Sequence, residues 1–165
     1  MHIHDRLREL GLGLPESAPT HEFLPVNVLG DLAYVSGHAP FIDGAFRYQG
    51  KIGREFDLAN GCKAAELAVL GCLASLEEAI GTLESVRRVV KMNGYVNCDP
   101  EFRDLPRVTD AASKLLIALF GDKGRHARTT VGVASLPGGA AVELELIVQL
   151  RSGSFPRQKC KSSQR

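Results

Sequence analysis

Apolar residues recur at Leu58, Cys62, Ala65, Val69, Leu73, Leu76 and Ile80, in steps of three and four that place them along one face of a helix. Asp57 precedes this run as an N-cap and Gly81 supplies its stop. A second helical stripe, Val108, Ala112, Leu115, Leu116 and Leu119, follows Pro106 at the first helical turn and ends before Gly121. Elsewhere the period is two. Residues 25–29 and 32–36 are short β-type runs separated by Gly30-Asp31, a hairpin turn, and 42–45 forms a further turn into a weak third strand over 46–48. Over 86–97, Val90, Met92 and Val96 alternate with Lys91, Asn93 and Tyr95, which predicts a strand. Near the start, Leu7, Leu10, Leu12 and Leu14 suggest a short peripheral helix over 5–14, ended by Pro15.

The last two strands, 128–135 and 141–150, are joined at Leu136-Pro137-Gly138-Gly139 and are expected to form a hairpin. Thr129, Val131 and Val133 alternate with Arg128, Thr130 and Gly132, while Val142, Leu144, Leu146 and Val148 alternate with Glu143 and Glu145. If the helices cover both apolar sets, the opposite face carries Arg128, Thr130, Glu143 and Glu145 and lines a subunit interface or a ligand cleft. The order of elements predicts an α+β fold, a mixed sheet of about six strands with two helices packed on one face.

Composition narrows the class. A chain of 165 residues builds one core, with no material for a second. Twenty basic and nineteen acidic residues leave a net charge of +1, so the total provides no general attraction to nucleic acid or anionic lipid. Cys62, Cys72, Cys98 and Cys160 form no C-x-x-C pair, so neither a zinc site nor a disulfide framework is expected, and no metal. His2 and His4 read as a frayed, solvated end. Neither a signal segment nor the roughly 20-residue apolar run of a spanning helix is visible, which makes cytoplasmic residence the expectation. The division expected is an extension over 1–24, a domain over 25–152 and a disordered tail over 153–165.

Particular residues go further. Ser36-Gly37 followed by Pro40, the Gly94-Tyr95-Val96 strand end, and above all 128–137, Arg-Thr-Thr-Val-Gly-Val-Ala-Ser-Leu-Pro, with Val142-Glu143-Leu144-Glu145, resemble the Rid family. That family, also called YjgF or endoribonuclease L-PSP, has deaminases of reactive imines among its members. The resemblance spans about residues 25–151. The Leu-Gly-Leu-Gly-Leu-Pro segment and the Gly50-Lys51-Ile52-Gly53 loop resemble a longer branch of it. It implies a chorismate-mutase-like fold, a homotrimer with a central β-barrel, and clefts between subunits.

By this resemblance Arg128 holds a substrate carboxylate, Glu143 positions the attacking water, Gly37 faces the ligand with its backbone, and Thr130 stands where many members carry cysteine. Two positions depart from the pattern. Phe23 stands in the place of a tyrosine and Thr109 in that of an asparagine, which puts substrate choice or turnover in question. The chemistry implied is hydrolysis of small 2-imino or 2-enamino acids to 2-keto acids and ammonium, without a cofactor. A guanidinium suits the first task, because its planar donors grip a carboxylate bidentately and it stays charged. A carboxylate in a half-dry cleft suits the second.

Other readings stand beside these. Arg128 and Glu143 can also be read as an interface ion pair that fixes trimer geometry and does no chemistry. Glu145 reads as a neighbouring interface charge, and Arg125, His126 and His38 as solvated or cleft-bordering groups. Thr130 lacks an identifiable activating base. A non-catalytic ligand-binding or chaperone-like trimer is the alternative function. A ribonuclease is disfavoured, since seven Phe, three Tyr and no Trp, without a basic run outside the tail, offer no stacking groove.

Overall fold

The computed structural model describes residues 2–16 and 22–152. The tail expected over 153–165 lies outside the described residues. Helix α1 (Ile3–Glu9) starts earlier and stops sooner than the leucine spacing suggests. Its Ile3 and Leu7 are buried in the common core, whereas Leu10 is exposed; Leu12 and Leu14 pack on that core from non-helical backbone. The leucines therefore mark contacts with the core rather than helical turns.

Strands β1 (Val26–Leu29) and β2 (Leu32–His38) pair antiparallel with Leu29 opposite Leu32, which leaves Gly30, at φ 63°, and Asp31 as the turn. The third strand shrinks to a two-residue hairpin, β3 (Phe41–Ile42) and β4 (Ala45–Phe46), apart from the main sheet. Helix α2 (Leu58–Ile80) begins at Asp57, whose side chain accepts from the Asn60 amide, and ends at left-handed Gly81. Its Ala64, Ala65 and Ala68 are fully buried, small enough to let the helix lie close on the sheet. β5 (Val86–Asn97), α3 (Leu105–Phe120), β6 (Ala127–Val133) and β7 (Val142–Leu150) complete the chain.

The sheet has five strands in the order β1-β2-β7-β5-β6. The expected β6–β7 hairpin does not form: β7 inserts antiparallel between β2 and β5, and β6 pairs parallel with β5 at the edge. β5, α3 and β6 are thus a crossover unit, which a parallel pair requires. Alternation along a strand decides its faces but not its neighbours.

Two face assignments also change. In β5 the register slips between Val86 and Arg88 and again between Val89 and Lys91, so Val89 is buried and Val90 is 37% exposed. In β6 the set Arg128, Thr130 and Gly132 faces the helix layer, while Val131 is 41% exposed on the open face. The physical reason lies in α3, which presents Thr109, Asp110 and Ser113 to β6, so a polar strand face meets a polar helix strip. The inner face of β7, Val142, Leu144, Leu146 and Val148, is buried as its alternation predicts. Among the described residues no helix is long and apolar enough to cross a membrane.

Candidate functional site

On the β2–β7 flank, Val35 opposes Leu146 and His38 opposes Leu144, so Ser36 and Gly37 together face the single position of Glu145. This bulge turns the Gly37 backbone toward the open face of the sheet. A Cβ on Gly37 would lie 2.0 Å from Glu143 Oε1, which means the carboxylate sits directly over the backbone that glycine leaves bare. Burial raises the Glu143 carboxyl above the usual carboxylate range, and the charge of Glu145 adds to the effect. Glu145 itself is tied down: it accepts from Asn93 Nδ2 at 2.6 Å and from the Tyr95 hydroxyl at 3.1 Å. Beside it a cavity of about 230 Å³ is lined by Tyr34, Ser36, Lys91, Asn93 and Glu145, among others.

The opposite flank, between β6 and α3, holds the second group. Arg128 Nη1 donates to Asp110 Oδ1 at 2.8 Å and to Ser113 Oγ at 3.0 Å. Ser113 Oγ lies 3.1 Å from His126 Nε2, and His126 Nδ1 lies 2.7 Å from the Gly124 carbonyl. Burial lowers the imidazole's affinity for a second proton, and the nearby Arg128 charge lowers it further. Thr109, buried, donates to the Pro106 carbonyl at 3.2 Å, so the 2.7 Å contact with Thr130 has Thr130 as donor. Gly94 makes room for this pair, since a Cβ there would meet Thr109 Cγ2 at 2.5 Å.

The predicted site residues therefore fall into two groups. Gly37 and Glu143 are together, and so are Arg128, Thr130 and Thr109, but Arg128 and Glu143 do not meet within one chain. Arg128 lies beside Met92 and Glu143 beside Tyr95, on opposite faces of the sheet. Strand spacing of about 4.8 Å and rise of about 3.3 Å per residue put their Cα atoms about 14 Å apart. An intrachain Arg128–Glu143 ion pair is accordingly excluded. Phe23 sits ahead of β1, 57% exposed. His38 is no cleft residue: its Nδ1 contacts the Ser36 carbonyl and its Nε2 the buried Ser75 hydroxyl, both at 2.7 Å. Arg125 pairs with Asp122 at the surface.

Sequence reasoning missed Asp110 and Ser113. Their signal was present, because Thr109 and Asp110 stand four and three residues before Ser113 and make a polar strip down one side of α3. Among the described residues no three His, Cys, Asp or Glu side chains are grouped to hold a metal ion.

Residues 4–150 match the family described as YjgF/chorismate mutase-like, putative endoribonuclease, and the chain belongs to that family. Protein TCP17 of Trypanosoma cruzi is 38% identical over 148 residues, 88% of this chain and 92% of its own length. The structure of Atu1372 from Agrobacterium tumefaciens superposes with a TM-score of 0.86 at 42% identity, covering 90% of this chain and 92% of that one. At 20% identity the fold alone is shared with the Rid-family protein YyfA of Yersinia pestis, at a TM-score of 0.59 over 84% of this chain and 95% of that one.

Proposed function

We propose that the protein hydrolyses small 2-imino and 2-enamino acids to 2-keto acids and ammonium, in clefts completed between the subunits of a homotrimer. The observation that carries this reading is Glu143, a half-buried carboxylate of raised proton affinity seated over the bare backbone of Gly37. Such a group both orients a water molecule and takes its proton at a pH where an ordinary carboxylate is a poorer base. Arg128 supplies the carboxylate clamp from a neighbouring chain. Its Nη1 is engaged by Asp110 and Ser113, which leaves Nη2 and Nε as the donor edge for a ligand.

In the step itself, water oxygen bonds to the iminium carbon as the C=N π electrons move to nitrogen. Glu143 accepts the water proton and returns it to that nitrogen. As the tetrahedral carbinolamine collapses, Glu143 takes the hydroxyl proton, the oxygen pair forms C=O and the C–N bond breaks; the departing ammonia takes that proton from Glu143, giving the keto acid and ammonium. One protonated imine and one water account for every atom and charge. No cofactor takes part, and the reaction suits a cytoplasmic protein that meets imines released by amino-acid-consuming enzymes.

The alternative, a ligand-binding trimer without turnover, draws on the exposed Phe23 and on Thr109, whose hydroxyl is spent on Pro106 and Thr130. Release of keto acid and ammonium from 2-iminopropionate and larger imines, generated in situ, separates the two readings. Acceleration lost in trimeric Arg128→Ala supports the deaminase; no acceleration by trimeric wild type establishes the alternative.

A further inference from the structure

We infer that Ser113 and His126 are positioning residues that orient the Arg128 guanidinium and thereby set how tightly the protein holds a ligand carboxylate. The inference rests on Arg128 as the clamp and adds the machinery behind it. A carbonyl only accepts, so the 2.7 Å contact with Gly124 O places a hydrogen on His126 Nδ1. The imidazole, kept neutral by burial, then has its lone pair at Nε2, 3.1 Å from Ser113 Oγ. The Ser113 hydroxyl must donate to that lone pair, which turns an oxygen lone pair toward Arg128 Nη1 at 3.0 Å.

Nη1 has two hydrogens. One goes to Ser113 and the other to Asp110 Oδ1 at 2.8 Å. Because the guanidinium is planar, committing both hydrogens of one nitrogen fixes the plane and the direction of the remaining edge. Asp110 alone would leave the group free to swing about a single contact.

The base of the relay is rigid for an independent reason. A Cβ on Gly124 would lie 2.2 Å from the Leu116 carbonyl oxygen, so the 3-10 turn Gly121–Gly124 is pressed against the backbone of α3. The Gly124 carbonyl that selects the histidine tautomer is held there, and α3 supplies the serine. Two links between backbone and guanidinium, the Gly124 carbonyl and Ser113, are thus built on packed elements, and His126 is held between them.

A merely structural role, tying β6 to α3, would not distinguish a charged ligand from a neutral one. The test is calorimetric binding of pyruvate and of its neutral amide, pyruvamide, to the trimer and its variants. Ser113→Ala and His126→Leu should weaken pyruvate about 5–20-fold, the worth of one misdirected hydrogen bond to a charged group, and leave pyruvamide unchanged. His126→Gln, whose amide oxygen can accept from Ser113, should recover most of the loss.

Equal losses for pyruvate and pyruvamide, or no loss for either, would overturn the inference. Arg128→Ala separates it from the reading beneath. If that variant keeps the wild-type preference for pyruvate over pyruvamide, the clamp itself is wrong; if it loses the preference while Ser113→Ala keeps it, only the relay is wrong. Where a variant fails to fold, nitrogen-15 NMR of wild type, with His126 assigned against His126→Gln, still decides. The Nδ1-protonated neutral tautomer is expected at neutral pH, and the Nε2 tautomer or an imidazolium contradicts the relay.

Discussion

The two flanks of the sheet carry the same small device. His38 and His126 each contact the carbonyl two residues before them, Ser36 and Gly124, through Nδ1, and each places Nε2 on a serine of the covering helix, Ser75 on α2 and Ser113 on α3. Their surroundings differ. Ser75 is buried in α2, with His38 packed against Gly71. Ser113 is half-buried and shares its oxygen with Arg128. One pair pins a bulge to a helix; the other passes its orientation on to a charged group. What a hydrogen bond does in a protein depends on what its last member touches.

On the β2 flank the pin has a functional neighbour all the same. The bulge between Val35 and His38 presents Gly37 to Glu143. Glu143→Gln should cut kcat about 10²–10⁴-fold, the usual range for a lost general base. Gly37→Ala should lower it by a similar route, because the added methyl takes the place of the carboxylate; a near-normal kcat in that variant would show that the seat over Gly37 is incidental.

Ser75→Ala and Ser113→Ala separate the roles of the two serines. Removing the buried Ser75 hydroxyl leaves the His38 lone pair unmatched and should cost about 1–3 kcal/mol of unfolding free energy, with carboxylate affinity per folded chain unchanged. Ser113→Ala should do the reverse, changing carboxylate affinity more than stability. Denaturant titration of both variants reads the difference.

The pH dependence of stability follows from His38. Burial lowers its folded-state proton affinity below the ordinary value of 6.5. The unfolded chain therefore binds the proton more readily, so the stability this group contributes is complete above 6.5 and is lost as pH falls toward the folded value. His38→Gln should flatten that part of the stability–pH curve, measured by unfolding between neutral and mildly acidic pH.

Glu143 has the opposite sign. Its carboxyl is raised in the folded state, so the folded chain holds the proton more tightly and the strain is absent below the ordinary 4.5. It develops as pH rises through the folded value. Glu143→Gln should consequently be slightly more stable than wild type at pH 7, a modest gain because the group keeps part of its solvent. Loss of activity with a gain in stability is the mark of a carboxylate held for chemistry.

Much of this molecule is legible in the chain. The limits of α2 were set by Asp57 and Gly81, and β5 by its run of β-type residues, because caps and periods are local properties. The neighbours of β6 were not legible: Leu136-Pro137-Gly138-Gly139 looks like a hairpin turn, yet the following strand crosses to the centre of the sheet. Inverting the faces of β6 then hid the polar strip of α3, and with it Asp110 and Ser113. Val90 was misplaced because a bulge resets the alternation that a period assumes. The resemblance brought Arg128, Thr130, Gly37 and Glu143 forward, but the separation of Arg128 from Glu143 belongs to topology.

Because Arg128 and Glu143 are separated within one chain, a working cleft needs one group from each of two chains, and mixing variants tests this. In the proposed trimer, the Arg128→Ala and Glu143→Ala variants, each inactive, should regain activity when unfolded together and refolded as mixed assemblies. In a ring where each cleft joins one chain's arginine to the next chain's glutamate, about a quarter of the clefts carry both groups after equal random mixing. Imine hydrolysis near that fraction of wild type is expected; mixed assemblies as inactive as their parents would contradict a cleft shared between chains.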